Sequence, residues 1–464
     1  MYDIVLAGGK VVDGSGNPWF KADVGIEDGK VVALGDLSGA EAERTIDVEG
    51  LFVSPGFIDS HSHSDWTILK NHDAWSSLQQ GVTTEFVGNC GMSQFPVSDK
   101  NRKKLHLRMA GHFGVDLDEV SIDWDDLSGF QQRVEARGAG VNLACFVGHN
   151  TVRAAVMGVE DEGGERPEPT PEELEKMRGL VAEAMEQGAW GMTTGLVYKP
   201  GRNAKIAEVI ELARVAASHG GTYMSHIRGY RNLDGAREFF EIAEKTPIRS
   251  VLSHHTARMW TQQKQLVGPL PEEQLALIDA SRRRGAEVYM DILPWDGYSS
   301  TSMLSILVED EDKFDGEGKR LTLEHFMDLL RDPDKRAALL DKARQEKERD
   351  SKIRQAAQKV EFEFGDMYII NRSIRFPEYV HRSLAEVAKM RGTDAITAAA
   401  DILLEDEGNT FWGSWRNESD VQALISHPVA MVGSDGYVVE REPPLVHVGD
   451  APAVRLFGSF PKVL

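Results

Sequence analysis

Asp59-Ser60-His61-Ser62-His63 sets two histidines two residues apart, and Gly88-Asn89-Cys90-Gly91 follows with a cysteine held in a turn-forming frame. Side chains of an extended strand alternate with a period of two, so His61 and His63 point to one side and can grip one cation together. Imidazole is a natural zinc ligand, and a thiolate from Cys90 adds a soft donor that zinc favours. Magnesium and calcium prefer oxygen. An HxH pair alone is more often part of a polar loop, and a lone cysteine more often a core residue. The surroundings must decide.

Those surroundings are a repeating pattern of apolar strands and amphipathic helices. Eight strands are expected at Leu51–Ile58, Val82–Val87, Val141–Val147, Trp190–Thr194, Thr222–Ser225, Arg249–Ser253, Glu287–Ile292 and Val429–Gly433. Helices are expected between them, notably Pro171–Gln187, Ala204–Ser218, Asp234–Ala243 and Pro271–Arg284, each with an N-terminal or C-terminal signal. Eight strand–helix repeats predict a (β/α)8 TIM-like barrel spanning 51–464. In such a barrel the C-terminal strand ends gather the active-site residues. His61 and His63 follow the first strand, Cys90 the second, His149 the third and Tyr198 the fourth. His226 follows the fifth, His254 and His255 the sixth, Asp291 the seventh and Asp435 the eighth. A ring of this kind is stronger evidence than any one motif in it.

Residues 1–50 read as short strands joined by Gly8-Gly9, Asp13-Gly14 and Asp28-Gly29, a small β unit too short to build a good core alone. Residues 298–377 form a long excursion between barrel strands seven and eight, expected to cover the barrel mouth as a lid. Its charged middle, Arg331–Arg354, predicts a solvated helix.

The 464 residues carry a net charge of −22, which argues against nucleic acid and anionic membranes as partners. Two cysteines, Cys90 and Cys145, cannot make a disulfide framework, and Cys145 is expected in the core. No apolar run reaches ~18 residues, the length that a membrane-crossing helix needs. The N-terminus opens directly into a strand, so a cytoplasmic protein is expected, with a monomer favoured.

If the ring binds metal, His61, His63, Cys90 and Asp435 hold one ion, and Cys90, His226 and one of His254 or His255 hold a second, with Cys90 bridging. Adjacent strand residues face opposite ways, so only one of His254 and His255 can aim inward, and His254 is chosen. Metal-bound water ionises near neutral pH, and a carboxylate such as Asp435 could take its proton and pass it to a leaving amine. These parts describe metal-assisted hydrolysis of an amide.

The motifs carry a resemblance. Phe57-Ile58-Asp59-Ser60-His61-Ser62-His63-Ser64-Asp65, Gln80-Gly81-Val82-Thr83-Thr84-Glu85 and Gly88-Asn89-Cys90-Gly91 resemble the N-acyl-D-amino-acid deacylases of the amidohydrolase superfamily. So do Gly148-His149 with Arg153, Thr194-Gly195-Leu196 with Tyr198, Ser225-His226-Ile227-Arg228, Ser253-His254-His255, Gly433-Ser434-Asp435-Gly436 and Arg455 with Gly458-Ser459-Phe460-Pro461. The resemblance implies a tight zinc on Cys90, His226 and His254, and a weaker site at His61, His63 and Asp435. It also implies that Asp435 is the acid/base and that Arg455 holds the carboxylate of a small-molecule N-acyl-D-amino acid. Tyr198 is placed to hydrogen-bond the scissile carbonyl, and Trp295 either lines the substrate pocket or anchors a loop. Asp65 either supports a ligand histidine or caps the helix that follows.

The chain also departs from the family pattern. Thr256-Ala257-Arg258 stands where a lysine is common, Leu293-Pro294-Trp295 replaces a Tyr-Pro-Tyr-like segment, and Ala453-Val454 replaces His-Pro before Arg455. Family chains continue past the Phe-Pro-Lys/Arg-Val-Leu segment into strands that complete the small N-terminal domain. That domain is therefore expected to be a β-sandwich lacking its C-terminal strands. Two other functions are carried as alternatives: opening of a cyclic amide, as in hydantoinase-like relatives, and a metal-free scaffold.

Overall fold

The computed structural model describes all residues except 116–119, 159–167, 230–232, 261–265, 297–300, 314–320, 359–363, 414–415 and 440–454. Ala453-Val454 therefore lie outside the described residues. The chain divides into two compact units, Met1–Phe57 and Ile58–Leu464.

In the first unit, β1 (Tyr2–Val11), β2 (Phe20–Glu27), β3 (Lys30–Gly35) and β4 (Ala42–Asp47) form a sheet in the order β3-β2-β1-β4, with β5 (Phe52–Val53) beside the end of β1. The β1–β2 register shifts between Leu6 and Gly9, at the Gly8-Gly9 pair. These residues make one sheet, not the two layers of the expected sandwich. Val5, Val11 and Val24 are buried, while Val31, Val32 and Leu34 on β3 stay exposed.

The second unit is built on eight parallel strands. They are β6 (Phe57–Asp59), β7 (Val82–Val87), β8 (Asn142–Cys145) continued by β9 (Val147–Gly148), β10 (Gly191–Gly195), β11 (Thr222–His226), β12 (Arg249–Leu252), β13 (Val288–Ile292) and β14 (Ala430–Val432). Seven of them fall within about two residues of their expected places. The first does not: of the expected Leu51–Ile58, Phe52–Val53 pairs with β1 of the first unit, and the barrel strand begins only at Phe57. Pairing runs β6-β7-β8 and β9-β10-β11-β12-β13-β14. The break in the third strand is spanned by the Phe146 amide, which donates to the Val87 carbonyl at 2.9 Å. The two ends of the sheet meet where Ser60 N donates to Val432 O at 3.1 Å and Asp435 N to His61 O at 2.8 Å. The barrel closes there. Val147, Met192, Tyr223, Leu252, Val288 and Met290 are buried in its core together with helix residues such as Leu212 and Ile242. No helix among the described residues is long and apolar enough to cross a membrane.

The excursion between β13 and β14 has a core of its own, in which Leu304, Phe326 and Leu330 pack with Ile370, Leu384, Val387, Ile402 and Leu403. The expected boundary at 377 is thus too early. The helices Leu384–Arg391 and Ala395–Glu405 belong to this body, because their buried faces meet Phe326 and its neighbours. The charged stretch forms the long helix Pro333–Gln358, with most of its described residues exposed or half-buried.

Candidate metal centre

His61 and His63 lie just beyond the end of β6, not within it. Their rings nonetheless converge, with centroids 5.5 Å apart. Gly88-Asn89-Cys90-Gly91 turns sharply after β7, and Cys90 itself takes a positive φ of 55°. Close packing holds this turn against β10: a Cβ on Gly195 would lie 2.0 Å from the Cys90 carbonyl oxygen, so only glycine permits the approach. His226 ends β11. His254 follows β12 with φ 32°, and Asp435 follows β14 with φ 47°. Three non-glycine residues at strand ends thus occupy the left-handed region that side chains avoid, and such strain is characteristic of functional sites.

The side chains meet around one sulfur. Cys90 Sγ lies 3.5 Å from His61 Nε2, 3.5 Å from His226 Nδ1 and 3.4 Å from His254 Nε2. Asp435 Oδ1 lies 3.2 Å from His63 Nε2 and 3.6 Å from His61 Nε2. Two donor groups result, His61/His63/Cys90/Asp435 and Cys90/His226/His254, each with its ligand atoms within 4.8 Å of one another. A tetrahedral zinc with Zn–S of ~2.3 Å and Zn–N of ~2.0 Å would separate sulfur from nitrogen by ~3.5 Å. The observed spacing is compatible with such an ion held by a mixed sulfur, nitrogen and carboxylate donor set.

Electrostatics agree with a cation-binding centre. Burial pushes the Cys90 thiol up, but the charges of His254 and His61 and hydrogen bonds from His226 and His254 hold it well below the usual thiol range. Burial likewise opposes ionisation of Asp435, yet Arg455 and His63 hold it well below the carboxylate range. Against burial, Asp291 and Cys90 raise His61 well above its ordinary value. Asp435 and Cys90 similarly bring His63 up to about 9. His226 goes the other way, lowered by burial and by His254.

His254 rather than His255 faces the sulfur. His255 is buried, both of its ring nitrogens lack a hydrogen-bond partner among the described residues, and burial with the nearby Arg416 pushes it down to about 3. Tyr198 stacks edge-on against His226 at 4.9 Å. Arg455 donates to Asp435 at 2.7 Å. Trp295 donates its indole N–H to Ser459 at 3.1 Å and carries Lys462 over its ring at 4.6 Å, the contacts of an anchor for the helix Arg455–Val463. Asp65 sits inside a short 3-10 helix, Ser64–Trp66, and does not cap it. His149 pairs with Glu208 at 2.7 Å, and Glu208 also accepts from Arg153. Cys145 is buried, and its thiol is pushed far up by burial, as for a core residue.

Two orienting residues escaped the sequence reading. Asp291, placed in the ring but given no task there, lies 3.3 Å from His61 Nδ1 and accepts from the His254 amide at 2.6 Å. Gln80 donates to the Leu456 carbonyl at 2.9 Å and accepts from the Phe460 amide at 3.3 Å, which fixes the helix that begins with Arg455. Asp291 carried a signal as the strand-seven member of the ring, whereas Gln80, among Ser76, Ser77 and Gln79, carried none.

Comparison with known proteins fits this geometry. The model of the amidohydrolase family matches residues 44–451. D-aminoacylase from Alcaligenes xylosoxydans xylosoxydans is 32% identical over 470 residues, covering 100% of this chain and 78% of the relative. N-acyl-D-glutamate deacylase from the same organism is 32% identical over 467 residues, with 100% and 78% coverage. Among solved structures, the N-acyl-D-glutamate deacylase of Bordetella bronchiseptica, complexed with zinc and a phosphonate inhibitor, superimposes with a TM-score of 0.68 at 30% identity. The match covers 99% of this chain and 79% of that one. The barrel and the strand-end ring define a hydrolase of the amidohydrolase class. The chain belongs to the amidohydrolase family.

Proposed function

We propose that the protein is a zinc-dependent deacylase that cleaves the amide bond of N-acyl-D-amino acids, giving a carboxylate and a free D-amino acid. The observation that carries this reading is the approach of Cys90 Sγ to three imidazole nitrogens at 3.4–3.5 Å. Relatives at 32% identity, named for D-aminoacylase and N-acyl-D-glutamate deacylase activity, point to the substrate class. All six ligand candidates stand together, which argues against a metal-free scaffold.

Cys90, His226 and His254 would hold the tighter ion, and His61, His63 and Asp435 a weaker one. Zinc supplies a Lewis acid and lowers the pKa of water towards neutrality. Asp435, ionised and 3.2 Å from His63, takes the proton of the attacking water and later delivers it to the leaving amine. Arg455, already seated on the Asp435 carboxylate, offers a planar fork to the substrate carboxylate. Tyr198 hydrogen-bonds the scissile carbonyl from its seat beside His226, and Trp295, bonded to Ser459, anchors the helix that carries Arg455. A cytoplasmic, monomeric enzyme belongs to the same proposal.

The test is incubation of metal-loaded protein with N-acetyl-D-methionine, N-acetyl-D-glutamate and their L-enantiomers. Release of the D-amino acid alone supports the reading. Equal turnover of both hands, or none, or turnover only of dihydrouracil or a hydantoin, overturns it.

A further inference from the structure

A histidine that ligates through one ring nitrogen needs the other held, because that second bond sets the tautomer and the ring angle. His61 meets this condition, with Nε2 towards Cys90 and Nδ1 at 3.3 Å from Asp291. His63 does not. Its Nε2 faces Asp435 at 3.2 Å, but its Nδ1 is buried with no hydrogen-bond partner among the described residues.

Two residues along the chain, Asp65 is 2% exposed, and neither carboxylate oxygen has a side-chain hydrogen-bond partner among the described residues; only backbone amides, those of Gly88 and of Asp65 itself, act on it as donors. The charge that acts most strongly on that carboxylate is the His63 ring. An unmade hydrogen bond on a buried polar group costs ~1–3 kcal/mol, and more where the group is charged. A buried donor without a partner on His63 and a carboxylate without a side-chain donor two residues on can share one bridging partner. Glu85, whose charge also acts on Asp65, adds a further acceptor nearby. Glu85 Oε1 and Asn89 Oδ1 lack partners too, while Glu85 Oε2 accepts from Ser62 Oγ at 2.7 Å and Asn89 Nδ2 donates to Ser62 O at 3.1 Å. A buried water needs two to four such polar partners, and a gap too long for a direct bond is where one bridges.

We propose that Asp65 is a positioning residue: through one bridging water it accepts the Nδ1–H of His63 and so fixes the tautomer that presents Nε2 to Asp435. This deepens the proposed function, on which it rests, by assigning the weaker ion's site a buried support that Asp291 supplies for His61. Asp65 touches no reacting atom. Its effect runs entirely through the His63 ring.

The test compares wild type, Asp65→Ala and Asp65→Asn by titrating the metal-free proteins with zinc and following each equivalent calorimetrically. Alanine is expected to weaken the second equivalent by about 10- to 100-fold and leave the first unchanged, with asparagine, which keeps one acceptor, in between. Equal weakening of both equivalents, or of neither, overturns the proposal. If wild type takes up no second ion, the two-site reading fails on its own account. A high-resolution crystal structure then decides the orienting role directly. Water within hydrogen-bond distance of both His63 Nδ1 and Asp65 sustains it, and a His63 Nδ1 bonded elsewhere sinks it.

Discussion

Asp59 accepts from both the amide and the hydroxyl of Ser434, at 2.9 and 2.5 Å, across 375 residues of chain. The same carboxylate accepts from the His61 amide at 3.1 Å. One buried side chain thus joins the end of the first barrel strand, which carries His61 and His63, to the end of the eighth, which carries Asp435. The seam of the barrel and the candidate metal centre share this clasp.

The clasp predicts a pH dependence of stability. Burial and the neighbouring Glu85 push Asp59 up to about 7, against the pull of its Ser434 and His61 bonds. A carboxyl whose folded value lies above its unfolded one contributes stability fully at low pH and loses it as pH rises towards 7. Asp59→Asn keeps an acceptor for the two amides and carries no charge to desolvate. Urea midpoints of the metal-free variant should therefore fall less steeply from pH 4 to 7 than those of wild type. The difference in slope should be at most one proton, ~1.4 kcal/mol per pH unit. Parallel curves would remove Asp59 from this role.

Asp435→Asn separates proton transfer from binding. The variant keeps the size of the side chain and one oxygen for the His63 edge, but it cannot accept a proton. A positioned general base or acid contributes typically ~10²–10⁴-fold, so kcat should fall by that factor while the first equivalent of zinc binds as in wild type. Retained kcat would assign the proton transfer to another group.

Arg455→Lys keeps the charge and loses the fork. A hydrogen bond to a charged group contributes ~1.5–3 kcal/mol, so KM for an N-acyl-D-amino acid should rise about 10- to 100-fold, more than kcat falls. Arg455→Met should add a second effect. Among the groups that lower Asp435, Arg455 is the foremost. Its loss raises the Asp435 value, so the acid limb of the kcat/KM profile should move to higher pH. An unmoved limb would show that Arg455 acts on substrate alone.

The barrel was legible because each strand is a short apolar run closed by a polar residue, and that rhythm survives the loss of all other information. The strand-end ring was legible for the same reason. Several histidines and one cysteine recur at equivalent ends, and the barrel brings them together whatever their sequence distance. What stayed hidden is what depends on particular long-range partners. Asp291 to His61 spans 230 residues and Gln80 to Leu456 spans 376, and neither pair has a local pattern. The inserted body was misjudged because Leu384–Arg391 and Ala395–Glu405 are ordinary amphipathic helices. Such helices would suit a barrel's outer layer as well as a separate core. His61 and His63 converge by a different route from strand alternation, since both lie beyond the strand and a turn brings them together.

The protonation pattern predicts which ion is lost first and how pH controls it. Near neutral pH, Cys90 is a thiolate and His226 is neutral, the first held well below the thiol range and the second lowered by burial, so both are already in ligating form. His61 and His63 are raised, His63 to about 9, and hold protons that an ion must displace. Metal binding then releases protons at the His61/His63/Asp435 group but hardly any from Cys90 and His226. The sign follows. Affinity for the second equivalent should rise with pH from 6 to 9, by up to about tenfold per unit for each proton displaced, while the first equivalent changes much less. Dialysis against a chelator at pH 6 should accordingly strip one ion readily and leave the other on Cys90. Zinc titrations at pH 6, 7 and 8 provide the check, and two equivalents with the same pH slope would contradict the assignment of the tighter ion to the thiolate.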